Sequence, residues 1–117
     1  MLPEDRDQAL IGDMLAFAFE VDDFCAGVSL KLYQESLDVR RKIERSLELV
    51  GEASKRVSPA FQASHPEISW RRISGLRNIL AHDYGDINDA TVWNVAKHEI
   101  PKLIEILRTL VGKEPLE

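Results

Sequence analysis

The sequence predicts an all-α protein, an antiparallel bundle of four or five helices formed by residues 1–117 as a single domain. Three observations predict it. Apolar residues recur at three- and four-residue steps along most of the chain. No period-two run enriched in β-branched residues interrupts them. Gly and Pro number only 6 and 5 and read as boundary markers, so the connections are short and neighbouring helices run antiparallel.

The first helix is expected from Asp5 to Glu20, with Leu10, Ile11, Met14, Leu15, Phe17, Ala18 and Val21 on one face. Asp22 and Asp23 then interrupt it, and Phe24 anchors a turn onto the core. The second helix is the longest, from Ser29 to Arg56, capped by the Ser29 hydroxyl. Its buried stripe is Leu30, Tyr33, Leu37, Ile43, Leu47, Val50 and Ala53; Arg41, Glu44, Arg45, Glu48 and Glu52 cover the opposite face. Ser58-Pro59 starts a short helix that His65-Pro66 ends. Ser69 caps the next, whose stripe of Trp70, Ile73, Leu76, Ile79 and Leu80 reaches about Ala81, with Gly85 closing the segment. The last stretch begins at Asn88 or Asp89, with Ile87 placed as a hydrophobic staple. Val92, Trp93, Val95 and Ala96 lead to Ile100, where Pro101 either kinks the helix or starts another. Leu103 to Val111 complete it and Gly112 fits a terminal cap.

Composition narrows the function classes. The chain has 117 residues, 44% hydrophobic and 30% charged, which is a globular balance for a single domain. The longest unbroken apolar stretch, Met14–Phe19, is far too short to span a membrane. No secretory signal pattern is visible and Cys25 is the one cysteine, so the reducing cytoplasm is the expected location. The net charge of -5 lacks the surplus usual in nucleic-acid binders. Local clusters nevertheless exist at Arg40, Arg41, Lys42 and Arg45, and at Arg71, Arg72 and Arg77.

The segment from Ser69 to Gly85 concentrates the chemistry: Arg71, Arg72 and Arg77, then His82 and Tyr84. A guanidinium can grip two non-bridging phosphate oxygens with its fork. An imidazole can exchange a proton with a ribose hydroxyl or a leaving oxygen near neutral pH. Arg77 and His82 are five residues apart, about 140 degrees of rotation on an ideal helix. They share a point only if the helix loosens or ends near His82. Spacing alone leaves two readings open: a phosphodiester site, or a surface ion pair at Arg77 with His82 capping a helix end.

The wider pattern resembles a known family. Arg77-Asn78-Ile79-Leu80-Ala81-His82 followed by Tyr84 is similar to the Arg-x4-His-x-Tyr signature of HepT-like toxins, members of the HEPN (higher eukaryotes and prokaryotes nucleotide-binding) superfamily. The run Leu47 to Arg56, with Val50-Gly51-Glu52-Ala53 at its centre, resembles the helix with the family's Ile-Gly-Glu-Ala core. His65-Pro66-Glu67-Ile68-Ser69-Trp70-Arg71 resembles its His-Pro-Glu-Ile-Pro-Trp block. Ser74-Gly75-Leu76 leads into the signature, and Val92-Trp93 and Ile100-Pro101 fit the final helix. The resemblance covers about Ser29 to Leu110.

That resemblance implies a HEPN-like bundle that forms a homodimer. It also implies a metal-independent endoribonuclease, without cofactor, whose composite site lies in the cleft between two protomers. His82 would be the general acid/base and Arg77 would hold the scissile phosphate. Asn78 matches the polar residue after the arginine, which would orient the histidine or the phosphate. Arg71 and Arg72 would flank the RNA. Tyr84 matches the tyrosine to which an antitoxin, a minimal nucleotidyltransferase of the MntA type, adds AMP. Bulk and negative charge beside the cleft would then block RNA. The implied biology is toxin–antitoxin operation of a type II/VII-like pair.

Other polar residues have structural readings. His65 serves the helix stop, His98 faces solvent, and Asp83, Asp86, Asn88 and Asp89 supply turn and cap chemistry. Trp70, Trp93 and Tyr33 are core or interface anchors. The Arg40 to Arg45 cluster is a solvated face, and Cys25 is packing. A competing function is a non-catalytic helical subunit that binds and assists a nucleotidyltransferase, consistent with the acidic balance. A dimeric module whose motif has lost activity is a third.

Overall fold

The computed structural model describes residues 3–82 and 89–111, the side chains of residues 3, 4, 79, 81 and 82 excepted. All regular structure among them is helical: α1 (Pro3–Cys25), α2 (Leu30–Glu35), α3 (Leu37–Arg56), α4 (Pro59–Ser64), α5 (Trp70–His82), α6 (Asp89–Asn94) and α7 (Ile100–Leu110), with a π-helical turn at Val95–Glu99 before α7. The four longer helices pack side by side in the order α7, α1, α3, α5.

Cross-contacts fix the register and the direction of each pair. Between α1 and α3, Asp7 meets Ser58 just beyond α3, and Glu20 meets Ser46, so the two run antiparallel. Lys97 reaches the Cys25 carbonyl and Arg108 lies over the Phe19 ring, so α7 runs antiparallel to α1. Gly51 faces Arg77 while Ser54 meets Ser74, which makes α5 antiparallel to α3. The expected bundle is therefore present.

The core is the stripe that periodicity selects. Leu10, Ile11, Met14, Ala18 and Val21 of α1 are buried against Ile43, Leu47, Val50 and Ala53 of α3 and Ile100, Leu103, Ile104 and Leu107 of the last helix. Tyr33, Trp70 and Trp93 are buried, the rings of Tyr33 and Trp93 tilted at 5.3 Å. Buried Asp7 ties α1 to α4: its carboxylate accepts from the Ser58 N–H at 2.9 Å and the Ser58 hydroxyl at 2.6 Å. That hydroxyl in turn accepts from the Phe61 N–H, capping α4 as expected.

Several boundaries differ from the sequence reading. Helix α1 starts at Pro3 and runs through Asp22 and Asp23 to Cys25, because both carboxylates stay on the exposed face and the apolar spacing continues through Val21 to Cys25. Gly27, with φ of 72°, then turns the chain in the left-handed region where glycine carries no Cβ penalty. The long second helix is two. Ser36 adopts extended dihedrals, closes α2 through its N–H to the Leu32 carbonyl, and caps α3 by accepting from Val39 N–H. The bend turns Leu37 out of the stripe, to 57% exposure.

Pro101 starts the last helix, one of the two expected readings: α7 begins at Ile100 with the proline in its first turn. It has no N–H to offer the Lys97 carbonyl. The ladder widens by one residue there, with the Ile100 N–H reaching back to Val95. The expected cap at Asn88, the staple at Ile87 and the stops at Gly85 and Gly112 lie outside the described residues; α6 begins at Asp89. No described helix is long and apolar enough to cross a membrane.

Candidate active site

The site is built where α5 presses onto α3. Gly51 is buried in the middle of α3 rather than at a boundary. A Cβ there would stand 2.5 Å from the Arg77 Cβ and 2.8 Å from the Ile73 carbonyl oxygen, so glycine is what lets the two backbones approach. One turn further along α3, the Ser54 hydroxyl bonds to the Gly51 carbonyl at 2.7 Å and to the Ser74 hydroxyl at 3.2 Å. Small residues thus seat α5 against α3 at the level of Arg77.

Arg77 leaves this seam half-buried. Its Nε is enclosed, and its Nη1 donates to the exposed Asn78 side-chain oxygen at 3.2 Å. Asn78 therefore touches the arginine, a contact the sequence reading did not name. Helix α5 continues to His82, so helical backbone carries both ends of the Arg-x4-His motif. The His82 side chain and the whole of Tyr84 lie outside the described residues.

Arg71 and Arg72 are exposed on the first turn of α5. The Arg72 guanidinium bonds to Glu99 in the π-helical turn. That bridge spans a furrow between α5 and the final helical stretch, about 540 Å³ in its larger part, with Ile73, Leu103 and Ile106 in its wall and His98 at its edge. A smaller apolar recess of about 180 Å³ continues it past Leu76 and Val95.

The remaining candidates take structural places. His65 stacks on Phe61, bonds to Glu67 and accepts the Trp70 indole N–H on its carbonyl, so it builds the approach to α5. His98 is exposed. Cys25 is buried, and desolvation pushes its thiol up to about 11, against an opposing pull from Lys97.

The Arg40 cluster is more than the solvated face its sequence suggests. Arg40 is not merely a solvated charge: it bonds to Glu44 at 3.5 Å and Asp89 at 3.0 Å and lies over the Tyr33 ring at 5.6 Å. Glu44 also accepts the Tyr33 hydroxyl at 2.6 Å. Burial and the neighbouring Glu44 carboxylate hold that phenol far above its usual range, so Tyr33 stays neutral and donating. The network fixes the start of α6, the point where the chain returns after α5. Sequence reasoning missed it because Arg40 and Asp89 are 49 residues apart.

A family model described as "Ribonuclease HepT-like" matches residues 14–110. The chain belongs to the HepT-like ribonuclease family. By family it is an RNA-cleaving enzyme, and the fold is the HEPN-like bundle that the motif implied. Among similar proteins is one from Methanocaldococcus jannaschii, provisionally named an RNase, 31% identical over 82% of this chain and 88% of its own length. Another, from Caldanaerobacter subterraneus and also provisionally named an RNase, is 32% identical over 75% of this chain and 79% of its own. A third, from Thermococcus cleftensis, provisionally named ribonuclease HepT, is 41% identical over 50% of this chain and 54% of its own. No solved structure matches the chain significantly. In this HepT-like chain the matched segment includes α3, α5 and the Gly51–Arg77 contact.

Proposed function

We propose that this chain is the endoribonuclease toxin of a toxin–antitoxin pair and that two copies form the working site. Each copy contributes Arg77 and His82 to one cleft. Arg77 holds the scissile phosphate through its fork. His82 takes the proton of the ribose 2′-hydroxyl, whose oxygen attacks phosphorus. The 5′-oxygen leaves with a proton returned by a histidine, and a 2′,3′-cyclic phosphate remains. The nucleophile comes from the substrate itself, so this step runs without a metal ion. Asn78 restrains the arginine, and Arg71 and Arg72 border the strand.

The observation that carries the reading is the complete Arg-x4-His-x-Tyr motif in the sequence of a HepT-like chain, its Arg-x4-His part on a helix that Gly51 seats against the core. Helical backbone carries the motif as far as His82, the last residue of α5. An MntA-type nucleotidyltransferase neutralises the toxin by adding AMP to Tyr84, which sets charge and bulk beside the cleft.

His82→Ala tests the reading. RNA cleavage should fall about 100-fold or more, the usual worth of a positioned acid/base, while the helical signal and the dimer mass persist. Undiminished cleavage by that variant would remove His82 from the chemistry. A wild-type chain that copurifies with a nucleotidyltransferase and cuts no RNA would favour the non-catalytic subunit.

A further inference from the structure

A second basic feature lies away from Arg77 and His82. The end of α3, the start of α4 and the first turns of α1 enclose a hollow of about 500 Å³, with Arg6, Lys55 and Arg56 on its wall. All three side chains are exposed, and none makes an ion pair with a described residue, whereas Arg40, Arg45 and Arg72 do. The carboxylate in the same wall, Asp7, already accepts two hydrogen bonds from Ser58. Gln62 likewise gives its amide to the Val57 and Ser54 carbonyls. The polar groups of the protein here are satisfied by one another, and three positive charges face the opening. In a chain of net charge -5 such a concentration selects an anion.

We infer that this hollow is a second phosphate subsite, which holds the backbone of the RNA strand away from the scissile bond. The inference rests on the ribonuclease reading for the identity of its ligand. Lys55 lies one helical turn beyond Gly51, the residue that contacts Arg77, so about 6 Å of helix axis separates the two levels. The hollow opens between α1 and the end of α3, so a strand held at Arg77 would reach it by crossing the last turn of α3, where Lys55 and Arg56 stand. Backbone phosphates carry no base identity, so the subsite adds affinity for length and not for sequence.

The test uses the triple variant R6Q/K55Q/R56Q of the full chain. Binding of a fluorescein-labelled 12-nucleotide single-stranded RNA is followed by anisotropy across a salt series, and cleavage is compared on that RNA and on a dinucleotide. The expected result is a loss of affinity of about 10-fold or more, a logarithmic salt slope shallower by about 2 for three lost contacts, and an equal fall in the preference for the long RNA. Affinity and slope equal to wild type would overturn the subsite. RNA displaced by low-millimolar inorganic phosphate would mark a free-anion pocket and also overturn it. If wild type cuts neither RNA but its binding still depends on the three cations, the subsite stands and the ribonuclease reading falls.

Discussion

Gly51 shows how much one missing side chain can decide. Helical glycine costs about 1 kcal/mol relative to alanine, so its place inside α3 needs a reason. The reason is the 2.5 Å that a Cβ would leave to Arg77. Gly51→Ala should therefore push α5 away from α3, lowering stability by about 1–3 kcal/mol as overpacking does. It should also lower RNA cleavage by more than its loss of folded protein explains. Urea denaturation beside initial rates checks this; a variant with wild-type rate would mean that the close seat is irrelevant to Arg77. Cys25 gives a second expectation at this scale. Its folded pKa of about 11 lies above that of a solvent-exposed thiol, so the unfolded chain ionises first. The thiol's contribution to stability is complete below pH 9 and is lost as pH rises toward 11. Native protein should resist iodoacetamide at pH 8 and react once unfolded. Fast alkylation of the native form would show that the burial is not real in solution. The motif residues were legible in the sequence by type and spacing. The glycine's purpose was not, because it depends on a helix more than 20 residues further along the chain.

At the scale of elements, periodicity placed every major helix, and polar side chains set the breaks that periodicity could not show. Ser36 is one polar residue in a helical pattern until its hydroxyl accepts the Val39 N–H and its own N–H closes α2. Ser36→Ala should cost about 1 kcal/mol, the usual worth of an N-cap, read as a lower urea midpoint with an unchanged slope. An unshifted midpoint would make the cap idle. The Asp22–Asp23 pair misled in the opposite direction: charged residues on the open face of a helix do not end it. The Arg40–Asp89 bridge and the Tyr33–Glu44 hydrogen bond join α2, α3 and α6 around one point. Tyr33 and Glu44 are 11 residues apart and Arg40 and Asp89 are 49 apart, and packing of the bundle brings them together.

At the scale of the molecule, the acidic total conceals a divided surface. Arg71 and Arg72 lie at the start of α5 and Arg77 further along it, while Arg6, Lys55 and Arg56 line the hollow beside the end of α3. The total of -5 was therefore a poor guide to RNA binding, as local charge governs phosphate contacts. On the proposed pairing with an MntA-type nucleotidyltransferase, Tyr84→Phe should leave cleavage intact and make the chain insensitive to that enzyme with ATP, measured as RNA cleavage after preincubation. Continued inhibition of that variant would place the modification elsewhere. The central claim is the pooling of groups from two copies, and subunit mixing tests it most directly. Arg77→Ala and His82→Ala chains, each about 100-fold or more impaired, are co-refolded so that mixed dimers form. The account predicts that cleavage returns, since one intact arginine and one intact histidine then meet in the shared cleft. Mixed dimers as inactive as either parent would contradict it.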